Sequence, residues 1–232
     1  MSKKIHRFFS PDIPNFDRDT IHQMRDVLHL QNGERVILFD GTGREAIVIL
    51  ESMQTNPTGR VEEIRQNEVE PPVQVTLFCA VLKREQFELV VQKAVELGVH
   101  AVVPILTDRT IKLGVKQDRL QKIAKEAAEL ASRGIIPEIS EPISLRQALD
   151  RGANFGTSIC FDPDAEKSFQ INQDARTIAL FVGPEGGWSD AEQELFSKAQ
   201  VQKAVLGPRM LRGETAAMVG LAVVMAAIEG WG

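Results

Sequence analysis

Phe181-Val182-Gly183-Pro184-Glu185-Gly186-Gly187-Trp188, followed by Leu206-Gly207-Pro208-Arg209-Met210-Leu211-Arg212-Gly213-Glu214-Thr215-Ala216-Ala217, decides the fold class of this chain. Each stretch is a short apolar strand that runs into a glycine-bearing loop and opens a helix. In α/β proteins ligands sit at that junction, because strand carboxyl ends and helix amino ends converge there and glycine lets backbone come close to a ligand. Two such loops in succession point to one shared pocket.

Working outward, Thr177 to Val182 and Val201 to Leu206 are the strands that feed the loops. Ser189 with Glu192 makes a capping box that fixes where the intervening helix begins. Glu214 to Glu229 is a helix apolar nearly all round and rich in Ala and Gly, so it needs burial, including against a second subunit. Upstream, strands alternate with helical patterns, the signature of a mostly parallel sheet covered by helices. Val75 to Leu82, Val99 to Leu106, Ile135 to Ile139 and Thr157 to Phe161 are the strands. Phe87, Val90, Val91, Ala94 and Val95 line one helix face that Gly98 terminates; Asp118 to Arg133 is a second helix and Leu145 to Leu149 a short third. Residues 1–70 read differently: strands at Arg35 to Phe39, Glu45 to Leu50 and Arg60 to Ile64, after a helix over Arg18 to Leu30 with Ile21, Met24, Val27 and Leu28 at helical spacing. Pro71-Pro72 breaks the pattern and sets the domain boundary, giving a β-rich domain over 1–70 and an α/β domain over 73–232.

Composition narrows the chemistry. The 232 residues are 43% hydrophobic and 25% charged, ordinary globular values, and the net charge of -5 argues against a bulk nucleic-acid coat while leaving room for a local basic site. No stretch approaches the ~18 apolar residues of a membrane span, and the basic amino terminus has no apolar segment behind it, so a cytoplasmic protein without a membrane partner is expected. Cys79 and Cys160 fall inside apolar strands and read as buried free thiols. His6, His22, His29 and His100 show no paired spacing, so no metal site is expected. Neither glycine loop matches a phosphate-loop or dinucleotide fingerprint, and no nucleophile-elbow serine appears.

The paired glycine loops, with Glu192, resemble the signatures of the small-subunit ribosomal RNA uridine-N3 methyltransferases, the RsmE-type branch of the SPOUT superfamily. Lys83 with Glu88 to Gly98, Pro104 to Arg109, Arg7-Phe8-Phe9 and Leu38-Phe39-Asp40-Gly41 extend the resemblance over nearly the whole chain. It implies a PUA-like β-barrel in front and a SPOUT-type α/β domain behind, whose carboxy-terminal segment threads a trefoil knot; periodicity alone reveals no knot. It also implies a homodimer, S-adenosylmethionine as cofactor and small-subunit (16S) ribosomal RNA as partner.

The cofactor positions that match are Leu180, Phe181, Val182, Gly183, Pro184, Glu185, Gly186, Gly187, Leu206, Gly207, Met210, Leu211, Arg212 and Thr215. The catalytic candidates are Arg212, whose guanidinium can hold charge on the uracil oxygens, and Glu214, which suits either a proton acceptor or charge complementarity at a helix amino end. Arg7, Lys83, Arg109, Lys112 and Arg133 are the RNA-binding candidates, at family-matching or strand-end positions. Two departures bear on RNA docking: His29 stands where the family commonly has arginine, and Ala131-Ser132-Arg133 where it commonly has Ser-Gly-Arg. The competing readings are a methyltransferase of another RNA and a non-catalytic ribosome-assembly or RNA-binding factor.

Overall fold

The computed structural model describes residues 5–54, 57–110, 114–172 and 174–231. The fold divides into two units, residues 1–70 with 125–136, and residues 71–124 with 137–232. The sequence boundary thus left one segment, 125–136, in the α/β portion that packs with the first unit.

In the first unit, β1 (His6–Phe9) pairs parallel to β2 (Arg35–Phe39), which runs antiparallel to β3 (Arg44–Ser52), itself antiparallel to β4 (Thr58–Gln66). Alternate residues Val36, Leu38, Ala46, Val48 and Leu50 point inward with Phe8, Met24 and Leu30 to form its core. The expected helix over Arg18 to Leu30 is shorter: α1 (Arg18–His22), capped by Asp17, opens into a wider π-helical turn over Gln23–Val27. That turn keeps Met24 buried but swings Val27 into solvent, and His29 at φ +52 ends it.

Buried charge also holds this unit. Glu45 Oε2 accepts from Arg7 Nη2 (2.8 Å) and Asn67 Nδ2 (2.9 Å), while its Oε1 accepts from Arg65 Nε (2.7 Å). Burial raises the Glu45 pKa, but the donors Asn67, Arg7 and Arg65 outweigh it and hold the carboxyl below its ordinary value. Glu70 pins the returning segment, accepting from Arg133 Nη2 (2.7 Å) and from the backbone N–H groups of Gly134 and Ile135 (3.0 Å each).

The second unit is built on a sheet whose seven strands among the described residues are all parallel. Its order is β11-β9-β10-β5-β6-β7, with β8 also pairing β6. The elements are β5 (Gln74–Ala80), α2 (Arg84–Glu96), β6 (Ala101–Leu106), α3 (Gln117–Leu130), β7 (Glu138–Ile139), β8 (Ile143–Ser144), α4 (Leu145–Gly152), β9 (Thr157–Phe161), β10 (Thr177–Val182), α5 (Asp190–Lys198), β11 (Gln202–Ala204) and α6 (Gly213–Glu229). The interior strands read as continuous apolar runs because helices cover both faces of such a sheet.

Gly98, at φ +89, follows the α2 cap as expected. Several expected elements shorten, the last strand among them, from Val201 to Leu206 down to Gln202–Ala204. α3 stops at Leu130, because Ser132 takes a left-handed conformation (φ +61) and Arg133 N–H closes on Ala128 O. The strand over Ile135 to Ile139 shrinks to β7, since Ile135 bridges instead to Gly41 and Thr42 and Pro137 lacks the N–H a ladder needs. Among the described residues no helix is long and apolar enough to cross a membrane.

Candidate functional site

Strand register brings three loops together. Val182 at the end of β10 lies opposite Phe161 at the end of β9, and Phe161 lies opposite Ala204 at the end of β11. The loops leaving these ends, 162–164, 183–188 and 205–212, therefore emerge side by side at one edge of the sheet.

The first glycine loop is anchored at both ends. Gly187, at φ +70, closes a turn by donating to Pro184 O (2.9 Å). Ser189 then caps α5 in the expected capping box: Ser189 Oγ accepts from Glu192 N–H (3.3 Å) and Glu192 Oε2 accepts from Ser189 N–H (2.8 Å). Beneath the loop runs an aromatic ladder. Phe78 stacks on Phe181 (centroids 4.7 Å apart), Phe196 meets Phe181 edge-on (5.5 Å), and Trp188 meets Phe196 edge-on (4.7 Å). Such pairs contribute about 0.5–1.5 kcal/mol each beyond their burial, so the loop stands on a rigid floor.

The second loop carries Gly207 at φ +124, where an added Cβ would stand in open space. It ends at Arg212, the N-cap of α6, whose side chain makes no capping bond, and at Gly213, where a Cβ would come within 2.9 Å of Leu82. Gly213, Ala217, Gly220, Leu221, Val224 and Met225 form the buried stripe of α6. Gly220 crosses the Phe161 ring so closely that a Cβ would sit 2.3 Å from it.

A cleft of about 260 Å³ opens between these loops, lined by Val182 to Trp188, Met210, Leu211, Gly213 and Ala216, with Arg109, Phe161 to Asp164 and Gln193. A smaller, adjoining pocket of about 60 Å³ shares Phe161, Asp162, Pro163, Met210, Leu211 and Ala216 and adds Val205, Leu206, Gly207 and Arg209. The structure thus brings together Val182, Gly183, Pro184, Glu185, Gly186, Gly187, Leu206, Gly207, Met210 and Leu211.

It sets others apart. Leu180 and Phe181 are fully buried within β10 and support the loop from below. Arg212, Glu214 and Thr215, at the start of α6, lie outside the lining of both pockets. Gly183 and Gly186 face protein more closely than the expectation of ligand approach supposed: a Cβ would meet the Trp188 indole at 2.9 Å in the first case and Arg109 Cδ at 3.3 Å in the second. Met210, by contrast, is 79% exposed, an apolar side chain with little protein over it.

The sequence reading missed Phe161-Asp162-Pro163-Asp164, Trp188 and Gln193. The signal was present, since Thr157 to Phe161 was legible as a strand and the loop after it is a third strand carboxyl end. Asp162 is 5% exposed; its Oδ2 accepts from Gln193 Nε2 (2.7 Å) and its Oδ1 from Asp164 N–H (3.0 Å).

The basic candidates divide. Lys83 and Arg109 are exposed, just past the carboxyl ends of β5 and β6. Arg109 Nη1 donates to Gly186 O (2.5 Å), and its neighbour Asp108 accepts from Ser189 Oγ (2.5 Å) and donates its N–H to Glu192 Oε1 (2.9 Å), so this turn is tied to the first glycine loop. Lys112 lies outside the described residues. Arg7 and Arg133 correct the expectation of RNA contact. Their side chains are 7% and 4% exposed and paired with Glu45 and Glu70, because an enclosed guanidinium needs a carboxylate more than the surface needs a cation.

Cys79 and Cys160 are free and buried; burial pushes the Cys79 thiol up to about 12 and Cys160 well above its ordinary value, so both are held as unreactive thiols. Among the described residues no group of three or more His, Cys, Asp or Glu is placed to hold a metal ion.

Comparison with known proteins places this geometry. Residues 69–225 match the family model of the RNA methyltransferase domain. The Ribosomal RNA small subunit methyltransferase E of Synechocystis sp. is 33% identical, over 90% of this chain and 71% of that protein. The protein of the same name from Bacillus subtilis is 28% identical, over 89% of this chain and 87% of its own. The crystal structure of a Ribosomal RNA small subunit methyltransferase E from Neisseria gonorrhoeae bound to S-adenosyl methionine superposes with a TM-score of 0.87 at 27% identity, covering 97% of this chain and 98% of that one. The chain belongs to the RNA methyltransferase family, among the ribosomal RNA small subunit methyltransferase E proteins.

Proposed function

We propose that this protein transfers the methyl group of S-adenosylmethionine to N3 of a uridine in small-subunit ribosomal RNA. The observation that carries the reading is the convergence of three strand-end loops on one cleft in a chain of this family. The residues present fit the cofactor. The adjoining pocket walled by Leu206, Met210 and Leu211 is apolar enough for a purine, and Gly207 leaves open space where a side chain would stand. The main cleft adds polar groups, among them a buried amide oxygen of Gln193 that no protein donor reaches among the described residues.

Bound there, S-adenosylmethionine supplies a methyl group on a positively charged sulfur, open to attack by nitrogen. Uridine N3 carries a proton that must leave before the nitrogen can attack. Arg212, exposed at the N-cap of α6, would hold the negative charge that then spreads onto the uracil oxygens. Glu214, in the first turn of α6, would take the proton or complement the helix amino end, and the two roles predict different pH profiles. Lys83 and Arg109, in solvent at the same end of the sheet, suit contacts to RNA phosphate.

The same reading extends to architecture: a PUA-like barrel for the first unit, a trefoil knot formed by the loop 206–215 and α6, a homodimer and a cytoplasmic location. The apolar face of α6, with Val223 exposed, supports the dimer, which light scattering tests.

The reaction is tested by incubating small ribosomal subunits that lack the modification with the protein and labelled S-adenosylmethionine, then identifying the product nucleoside by mass spectrometry. Label in 3-methyluridine is expected. Label in another nucleoside, or no transfer despite cofactor binding, would redirect the substrate assignment to another RNA, and no cofactor binding at all would favour the assembly-factor reading.

A further inference from the structure

Asp162 and Gln193 present an unusual pair at the floor of the cleft. Asp162 is almost fully buried, and among the described residues its carboxylate is met only by neutral donors, the Gln193 amide and the Asp164 N–H. A carboxylate in such a place calls for a cation. Gln193 shares the deficit. Because a carboxylate only accepts, the Gln193 NH2 must face Asp162, which leaves Oε1 turned away; that oxygen is buried with no partner. A carboxylate without a cation and a neighbouring amide oxygen without a donor thus stand side by side in a cleft that both residues line.

A ribose hydroxyl would satisfy one acceptor and leave the charge uncompensated. A sulfonium would answer the charge but carries no hydrogen to donate. An ammonium does both, since it brings a positive charge and three donors.

We propose that Asp162 and Gln193 form the subsite for the α-ammonium of the cofactor's amino-acid end, and so act as positioning residues that set which cofactor analogues bind. This rests on the assignment of S-adenosylmethionine to the cleft. Asp162 orients the amide, and the two together hold the amino-acid end while the adenine lies against the apolar wall.

Calorimetric titration of the full chain with S-adenosylmethionine, S-adenosylhomocysteine and 5′-methylthioadenosine tests it. The homocysteine product keeps the ammonium without the sulfonium, and methylthioadenosine lacks the amino-acid end. Asp162→Asn should weaken the first two ligands roughly tenfold to a hundredfold, as expected for a charge-assisted hydrogen bond, and leave methylthioadenosine unchanged. Gln193→Met should give the same pattern with a smaller loss, and it carries the test alone if thermal unfolding finds Asp162→Asn unfolded. A parallel fall in methylthioadenosine by a folded variant would overturn the proposal, as would unchanged affinity for all three or a loss confined to S-adenosylmethionine. A wild-type protein that binds none of the three overturns the cofactor assignment itself, which separates that failure from this one.

Discussion

In the first unit Arg7 and Arg133 fold inward onto Glu45 and Glu70, whereas in the second Lys83 and Arg109 stand in solvent past the ends of β5 and β6. The residue types are alike, and their surroundings assign them different work. The first unit encloses charge as part of what holds a mixed sheet and a returning segment together. In the second the sheet is held by apolar strands and aromatic stacking, and the carboxylates it buries, Asp162 and Glu192, lie at the carboxyl end of the sheet beside the loops. Of these four basic residues, only the two that follow strand carboxyl ends are left exposed at the surface.

The sharpest way to break that contrast is to remove an enclosed partner. Glu45→Ala leaves the Arg7 guanidinium buried without its carboxylate, and urea denaturation should report a loss of about 3–5 kcal/mol. Glu194→Ala, which breaks an exposed pair with Lys198, should change stability by no more than about 0.5 kcal/mol. Equal effects would erase the distinction between the units.

Glu45 also fixes a pH dependence. Its folded pKa lies below the ordinary value of 4.5, so its contribution is complete above that value and is lost as pH falls through the lowered one. Glu45→Gln should flatten the acid limb of a stability profile recorded from pH 6 downward, and an unaltered limb would contradict the assignment.

The helix packing of the second unit should respond to volume. Gly220→Ala places a methyl group 2.3 Å from the Phe161 ring, and overpacking of that kind costs about 1–3 kcal/mol. Because Phe161 lines the cleft, affinity for S-adenosylmethionine should fall with it. A variant that lost stability but kept its affinity would separate the helix packing from the site. Ser189→Ala removes the α5 cap and the bond to Asp108; thermal unfolding should register about 1 kcal/mol.

The contrast also explains what could be read from sequence. Thr157 to Phe161 and Thr177 to Val182 were legible to the residue, because strands buried on both faces are unbroken apolar runs bounded by turns. The capping box at Ser189 and the turn at Gly98 follow from local rules and were legible too. Partnership across long sequence separations was not. Nothing near Arg133 indicates that Glu70 awaits it, and the shortening of the expected strand at Ile135 follows from a bridge to Gly41. Within the site, the glycine loops announced themselves, whereas Asp162 and Gln193 belong to it only because β9 lies beside β10 and α5 packs behind the loop, facts of topology and not of motif.

The central claim is that the two glycine loops of the second unit build a methyl-transfer site in which Arg212 stabilises the reacting uracil. The most direct measurement is the single-turnover rate of methyl transfer to unmodified small subunits by wild type and by Arg212→Ala, each saturated with S-adenosylmethionine and matched for folded fraction. The account predicts 3-methyluridine from wild type and a rate roughly 100-fold lower, or less, from the variant, the cost of losing one transition-state donor. Transfer by the variant at the wild-type rate would contradict it.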